Sequence, residues 1–294
     1  MGQLRERLAT GRVLVADGAW GTMLHDKGMG PTDCPEEWNV SHPDAVRAVA
    51  ADYAAAGADL VLTNSFGGSR PKLTKMGLAE QVVAFNAAAA ANSLARADAA
   101  IVGASIGPTG EFMEPLGTIS ANEMEAIFAE QIGALVGAGV RVVCVETMSA
   151  LEEACCAVRA ARAIDADIDV SASMTFEHSP TGYHTMMGVT PEQAVIALRE
   201  AGADVVGSNC GNGIDAMIPI AQQMRAVTDA PLLFNANAGM PEIVEGKTVF
   251  RMGPEAMAAR VESLVAAGAT IVGGCCGTTP AHIAAIRAAV DALG

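Results

Sequence analysis

Hydrophobic residues along this chain alternate between short continuous runs and longer stretches with helical spacing. Four times, a glycine preceded by alanine ends a helical stretch and an apolar run follows: Gly57, Gly139, Gly202 and Gly268. Glycine adopts the left-handed conformation that ends many helices. A β-branched run without polar residues is typical of a strand buried on both faces. The chain therefore repeats a helix–strand unit.

Extending this pattern predicts eight strands and eight helices in alternation. The predicted strands are Val13–Ala16, Leu60–Thr63, Ile101–Ser105, Val142–Glu146, Asp169–Met174, Val205–Ser208, Leu232–Asn235 and Ile271–Gly273. The predicted helices are His42–Ala56, Lys72–Arg96, Ala121–Ala138, Leu151–Ile164, Pro191–Ala201, Ile214–Val227, Glu255–Ala267 and Pro280–Leu293. Eight βα units without an evident linker favour an α/β fold, a (βα)₈ TIM barrel forming one domain over residues 1–294. A doubly wound open sheet is the alternative, but no glycine-rich phosphate motif follows any strand.

Composition and charge exclude several classes of partner. Only 4% of residues are aromatic while 51% are hydrophobic, so the core must be aliphatic. The net charge of −15 repels nucleic acid and anionic lipid, and we expect neither as a partner. No apolar run reaches the about 20 residues of a membrane helix, and the first residues lack an apolar signal segment. Seven cysteines, an odd number in a chain of this size, predict reduced thiols and a cytoplasmic protein.

Polar residues, glycines and cysteines are concentrated in the segments that directly follow the predicted strands. They form the segments Asp17–Thr22, Asn64–Gly67, Gly107–Gly110, Glu146–Thr147, Asn209–Gly211, Asn235–Gly239 and Gly274–Thr278. The opposite strand ends carry only helix-capping glycine and alanine. Because barrel enzymes place their chemistry at the carboxyl ends of the strands, this asymmetry predicts an active site there.

Cys210, Cys275 and Cys276 follow the sixth and eighth predicted strands, close enough to converge on one ion. Three thiolates suit zinc in a reduced cytoplasm and leave its fourth position open. Adjacent side chains of an extended strand point apart. The flanking glycines are therefore expected to supply the dihedral angles that turn both neighbouring sulfurs the same way: Gly273, Gly274 and Gly277. A vicinal disulfide or two packing thiols are the alternatives.

Seven motifs resemble, in order, those of the homocysteine S-methyltransferase family, from about residue 10 to the C-terminus. They are Asp17–Thr22 (DGAWGT), Thr63–Phe66 (TNSF), Gly107–Gly110 (GPTG), Val145–Thr147 (VET), Asn209–Gly211 (NCG), Asn237–Pro241 (NAGMP) and Gly273–Pro280 (GGCCGTTP). Within the family, the chain looks most like the homocysteine-binding barrel of cobalamin-dependent methionine synthase. Betaine–homocysteine methyltransferases are close relatives.

The resemblance implies zinc-dependent methyl transfer to the thiol of homocysteine, giving methionine. It implies methylcobalamin as the donor, carried by a separate corrinoid protein or domain. Direct use of a small onium donor, betaine or S-methylmethionine, is an alternative. Against betaine, Gly67 and Thr147 stand where an aromatic cage for its ammonium group would be expected. A non-catalytic zinc- or thiol-binding subunit is a further alternative from a different class.

Partners for the substrate's ammonium group are sought among the acidic residues at the strand ends. Glu146 is the first candidate, with Asp17 in support. An internal ion pair of Glu146 with Arg70 or Arg141 is the alternative to this role.

Smaller residues complete the predicted site. Backbone N–H groups of Gly18 and Ala19 are candidates for the substrate's carboxylate, because small residues allow close approach. Ser65 is a weaker candidate for a polar contact. By resemblance, the side-chain oxygen of Asn237 holds the fourth zinc position until substrate displaces it. Forming the turn before Gly239 is the alternative role for Asn237.

Overall fold

The computed structural model of the chain describes residues 2–244 and 247–294. Met1, Glu245 and Gly246, which the predicted domain includes, lie outside the described residues. The strands are β1 (Leu14–Val15), β2 (Leu60–Leu62), β3 (Ile101–Ile106), β4 (Val142–Met148), β5 (Asp169–Met174), β6 (Glu177–Ser179), β7 (Gly182–His184), β8 (Val205–Gly213), β9 (Leu232–Asn237), β10 (Glu242–Val244), β11 (Lys247–Val249) and β12 (Ile271–Gly274). The α-helices are α1 (Gln3–Leu8), α2 (Trp20–Asp26), α3 (Trp38–Ser41), α4 (Pro43–Ala55), α5 (Arg70–Lys75), α6 (Val82–Leu94), α7 (Ala121–Gly137), α8 (Leu151–Ile164), α9 (Pro191–Ala201), α10 (Ile214–Arg225), α11 (Pro254–Ala258), α12 (Val261–Ala266) and α13 (Pro280–Asp291).

Eight parallel strands form one sheet in the order β1-β12-β9-β8-β5-β4-β3-β2. A parallel bridge between Ala16 and Leu60 joins its two edges, so the sheet curls into a barrel. The helices between successive strands cover its outside. Two antiparallel hairpins, β6–β7 and β10–β11, lie in the loops that follow β5 and β9. The prediction of a single (βα)₈ barrel is confirmed.

Some element boundaries differ from the predicted ones. The predicted helix Lys72–Arg96 is broken, since α5 ends at Lys75 and α6 begins at Val82. Gly77, with φ of +74°, lies in the break and adopts a conformation that favours glycine. The predicted helix Glu255–Ala267 is likewise divided into α11 and α12. Helical periodicity continues through both breaks, so the pattern of apolar residues did not reveal them.

The first helix, α1, closes the amino-terminal end of the barrel, although no element was predicted there. The Leu4 side chain is fully buried in the apolar cluster inside the barrel, against residues such as Leu60 and Val142. The Leu4 backbone N–H donates to Asp169 Oδ2 at 2.7 Å, and the Arg5 guanidinium pairs with the same carboxylate. This end of the barrel is therefore sealed, and any ligand must enter from the other end.

Leu4→Ala is expected to lower the free energy of unfolding by about 2–4 kcal/mol, because a buried leucine is replaced by a cavity. Leu94→Ala, at a helical leucine that is 45% exposed, is the matched control and should have a much smaller effect. Urea denaturation of both variants measures the difference. Equal effects would show that Leu4 is not part of the core.

No helix in the described ranges is long and apolar enough to cross a membrane.

Candidate active site

Cys210, Cys275 and Cys276 converge at the carboxyl ends of β8 and β12. Their sulfur atoms all lie within 4.8 Å of one another, and the Cys210 and Cys276 sulfurs are 3.8 Å apart. All seven cysteines lie in the described ranges and are free thiols, so Cys275 and Cys276 are not joined in a disulfide. Zinc–sulfur bonds of about 2.3 Å in a tetrahedral site place neighbouring sulfurs about 3.8 Å apart. The spacing of Cys210 and Cys276 therefore fits a zinc ion.

The local backbone explains how two adjacent cysteines face the same point. The strand β12 ends at Gly274, and a turn follows with Gly277 at φ of +78°. Cys210 itself has φ of +59°, in an irregular stretch of β8. Gly273 and Gly274 do not have positive φ, so the prediction that they supply unusual dihedral angles is wrong. They lie within β12, where an added Cβ would collide with neighbouring side chains.

Hydrogen bonds within the cluster divide the charge unevenly among the three sulfurs. The thiols of Cys275 and Cys276 hydrogen-bond to Cys210 and lower the pKa of Cys210 to about 3. The same bonds raise the pKa of Cys275, and they raise that of Cys276 to about 11. Three thiolates at this spacing repel one another, so a bound cation is needed to deprotonate all three.

Asn237 lies beside the cysteines at the end of β9 and is 3% exposed. Its side chain is among the groups whose hydrogen bonds lower the pKa of Cys210. Asn237 Oδ1 is buried and has no hydrogen-bond partner within residues 2–244 and 247–294. The turn at Gly239 uses the Asn237 backbone carbonyl, which accepts the Gly239 N–H at 2.7 Å. The side-chain oxygen is therefore not consumed by the turn.

A pocket of about 430 Å³ opens at this end of the barrel. Its walls contain the three cysteines and most of the other predicted site residues: Asp17, Gly18, Ala19, Ser65 and Glu146. The structure thus brings together residues from five different strand ends, those of β1, β2, β4, β8 and β12. Asn237 is not among the residues that line this pocket.

Two carboxyl groups at strand ends, those of Glu146 and Asp17, line the pocket without a cationic partner among the described residues. Burial raises the pKa of Glu146 to about 7, against a hydrogen bond donated by the Ser105 hydroxyl. Burial also raises the pKa of Asp17 to about 7. The alternative ion pairs of Glu146 are not formed, since Arg70 pairs with Glu130 and Arg141 with Asp165. A bound ammonium group would offset the burial of both carboxylates.

The smaller predicted residues are placed less favourably. The Ala19 N–H already donates to Thr278 Oγ1 at 3.2 Å. Gly18 is required for close packing, because an added Cβ would lie 2.6 Å from Thr278 Oγ1. The Ser65 hydroxyl donates to the Ser105 carbonyl at 2.8 Å and so supports the fold. Of these three residues, only Gly18 keeps a backbone N–H without an acceptor in the described part of the chain.

Three residues of the site were not assigned a role from the sequence. Trp20 lines the pocket, and its Nε1–H donates to Asp17 Oδ2 at 2.8 Å. Its position three residues after Asp17, in the same strand-end loop, was an available signal. Glu36 also lines the pocket and accepts the Gly67 N–H at 2.7 Å. Asn209, beside Cys210, is fully buried. Glu36 lies far from any strand end, so the pattern could not indicate it.

Fold and site together define a (βα)₈ barrel whose pocket joins a three-cysteine centre to two buried carboxyl groups. The family model for homocysteine S-methyltransferase matches residues 14–290, and the chain belongs to that family. The family resemblance predicted from the motifs is confirmed.

The chain is similar to proteins with several different names. The chain is 30% identical to methionine synthases of Mycobacterium leprae and Mycobacterium tuberculosis, over 98% and 95% of its length. It spans 25% of the length of each of them. It is 29% identical to betaine–homocysteine S-methyltransferase 1 of Bos taurus, over 96% of this chain and 73% of that protein. The metallated form of the homocysteine methyltransferase MmuM from Escherichia coli has the same fold, with a TM-score of 0.80 and 24% identity, over 98% of this chain and 99% of that one.

Proposed function

We propose that this barrel, as one homocysteine-binding domain, transfers a methyl group to the thiol of homocysteine and produces methionine. The observation that carries the proposal is the cysteine centre facing two buried carboxyl groups across one pocket. These groups match the thiol and the ammonium of a single amino acid. Cys210, Cys275 and Cys276 would hold Zn²⁺, which when bound keeps a substrate thiol deprotonated near neutral pH. Reduced thiols at this centre fit a cytoplasmic location.

The chain's own residues bind and orient the substrate. Glu146 and Asp17 receive the ammonium group, which favours the charged form of both carboxyls. Trp20 holds the Asp17 carboxylate through its Nε1–H. The Gly18 N–H is available to the substrate's carboxylate, with Ala19 and Ser65 shaping the wall around it. Asn237, whose Oδ1 has no hydrogen-bond partner among the described residues, would supply an oxygen ligand to the metal before substrate binds.

We propose methylcobalamin, carried by a separate corrinoid protein or domain, as the methyl donor. The methionine synthases to which the chain is similar are about four times longer than the matched region. The segments after β3, β5 and β9, at the same end of the barrel as the pocket, also expose large apolar side chains by 60–74%: Phe112, Leu116, Met186, Met240 and Ile243. Large exposed apolar groups at one end of a barrel favour contact with another macromolecule there.

In this reaction the sulfur lone pair forms the new bond to the methyl carbon. The bond between the methyl carbon and the corrinoid donor would break with its electron pair kept by the donor, and the thiol proton would pass to solvent. A small onium donor is the second candidate, because Trp20 and Phe66 both line the pocket and aromatic faces attract cations. With such a donor, the electron pair of the broken bond remains on nitrogen or sulfur.

The zinc-loaded protein is expected to demethylate free methylcobalamin only when homocysteine is present, with one methionine formed per corrinoid consumed. Corrinoid absorbance and methionine formation measure the reaction, and chelator-treated protein is the control. Turnover of betaine or S-methylmethionine without corrinoid would assign the donor to the onium class. Homocysteine binding without turnover of any of these donors would indicate a non-catalytic subunit.

A further inference from the structure

Thr147 has an unusual backbone conformation for a β-branched residue. Its φ is +59°, in the left-handed region that non-glycine residues rarely adopt. The residue lies in β4 where the pairing with β5 shifts register between Val145 and Met148. Such a conformation persists only where surrounding contacts hold it. Glu146, the residue before it, is the carboxylate that faces the pocket.

The side chain of Asn209 provides those contacts. Asn209 Oδ1 accepts the Thr147 N–H at 2.7 Å, and Asn209 Nδ2 donates to Thr147 Oγ1 at 2.7 Å. The same Oδ1 accepts the Ser173 hydroxyl at 2.8 Å. Asn209 is fully buried and belongs to β8, on the far side of β5 from β4. The side-chain amide of Asn209, on β8, thus holds the irregular part of β4, which lies two strands away in the sheet.

We propose that Asn209 is a positioning residue for substrate binding. By holding Thr147 in its left-handed conformation, it keeps the Glu146 carboxylate directed into the pocket, where it meets the ammonium group of the amino acid. The inference rests on the proposed function, in which Glu146 binds that group. Because Asn209 directly precedes Cys210, the same residue ties the ammonium side of the pocket to the sulfur side.

Asn209 has a second contact with the site, through the sulfur of a cysteine, which we call the sulfur route. Asn209 Nδ2 also lies 4.0 Å from Cys275 Sγ. If that contact were the important one, Asn209 would act on the metal centre and on every thiol ligand alike. If the contact with Thr147 is the important one, only ligands carrying an ammonium group depend on Asn209. The two routes therefore predict different ligand dependence.

The test compares homocysteine with 4-mercaptobutyrate, which has the same thiol and carboxylate but no ammonium group. In zinc-loaded Asn209→Ala, the Kd for homocysteine is expected to rise about tenfold, the scale of a lost contact to a charged group. The Kd for 4-mercaptobutyrate and the zinc content should stay as in wild type. Calorimetry measures both affinities without any methyl donor.

Thr147→Gly provides the matched background, since glycine adopts positive φ without needing a clamp. Adding Asn209→Ala to Thr147→Gly should weaken homocysteine binding much less than Asn209→Ala weakens it alone. If Asn209→Ala does not fold, Asn209→Ser in both backgrounds supports the same comparison. Equal weakening of both ligands, or loss of zinc, would overturn the proposal in favour of the sulfur route. Unchanged homocysteine binding in Asn209→Ala would overturn the role of Asn209 and leave the proposed function standing. A wild type that binds no homocysteine would overturn both.

Discussion

Cys210→Ala is expected to weaken zinc binding by more than about a hundredfold, beyond the loss that a supporting residue usually causes. Two sulfurs from adjacent residues cannot complete the centre, because the third ligand comes from a different strand. The variant should also release no proton when homocysteine is added, since no metal remains to deprotonate the thiol. Competition with a chromophoric chelator measures the zinc affinity, and a weakly buffered titration with a pH indicator measures proton release.

Cys155→Ala is the matched control for this experiment. Cys155 is a buried thiol of α8 and lies outside the cluster of converging sulfurs. Its replacement should leave zinc content and proton release at the wild-type level. Full zinc occupancy in Cys210→Ala would contradict the assignment of the centre. Loss of zinc in both variants would indicate a general effect on folding.

Glu146→Gln is expected to weaken homocysteine binding and, at the same time, to stabilise the ligand-free protein. Homocysteine affinity should fall about thirtyfold or more, because a charged partner of the ammonium group is lost. The ligand-free variant should nevertheless be more stable than wild type near pH 8, by about 1–2 kcal/mol, since it no longer keeps a carboxylate in a poorly solvated site. Calorimetric titration and urea denaturation of the ligand-free protein measure the two effects.

The pH dependence of this stability difference has a definite sign. Burial raises the pKa of Glu146 from 4.5 to about 7 in the folded chain. Below about pH 4.5 the Glu146 carboxyl is neutral in both the folded and the unfolded chain, so its burial costs no stability. Stability is lost as the pH rises from about 4.5 through about 7, because the buried carboxyl must then ionise in the folded chain. The difference between Glu146→Gln and wild type should grow over this interval. Glu262→Gln, at an exposed position of α12, is the control of equal charge. A glutamine variant that is less stable at every pH would indicate a structural role for Glu146.

Much of the fold was readable from local sequence. Runs such as Val142–Val145 are continuously apolar because a strand covered on both faces has no solvent-facing positions. Glycines such as Gly202, with φ of +111°, mark helix ends because few other residues adopt that conformation. The breaks near Gly77 and between α11 and α12 were missed, since apolar residues keep helical spacing on either side of each short interruption.

The chain's sequence determined by itself the barrel, the end at which the site lies, and the convergence of Cys210, Cys275 and Cys276. These follow from periodicity and from the rule that parallel strands bring their carboxyl ends to one edge. Only the tertiary structure decided three further features. Helix α1 closes the amino-terminal end of the barrel, Trp20 hydrogen-bonds to Asp17, and Asn209 hydrogen-bonds to Thr147. The last contact joins residues 62 positions apart. Periodicity reports which face of an element is buried, but the partner of a buried polar group depends on side-chain positions that exist only once the strands have packed.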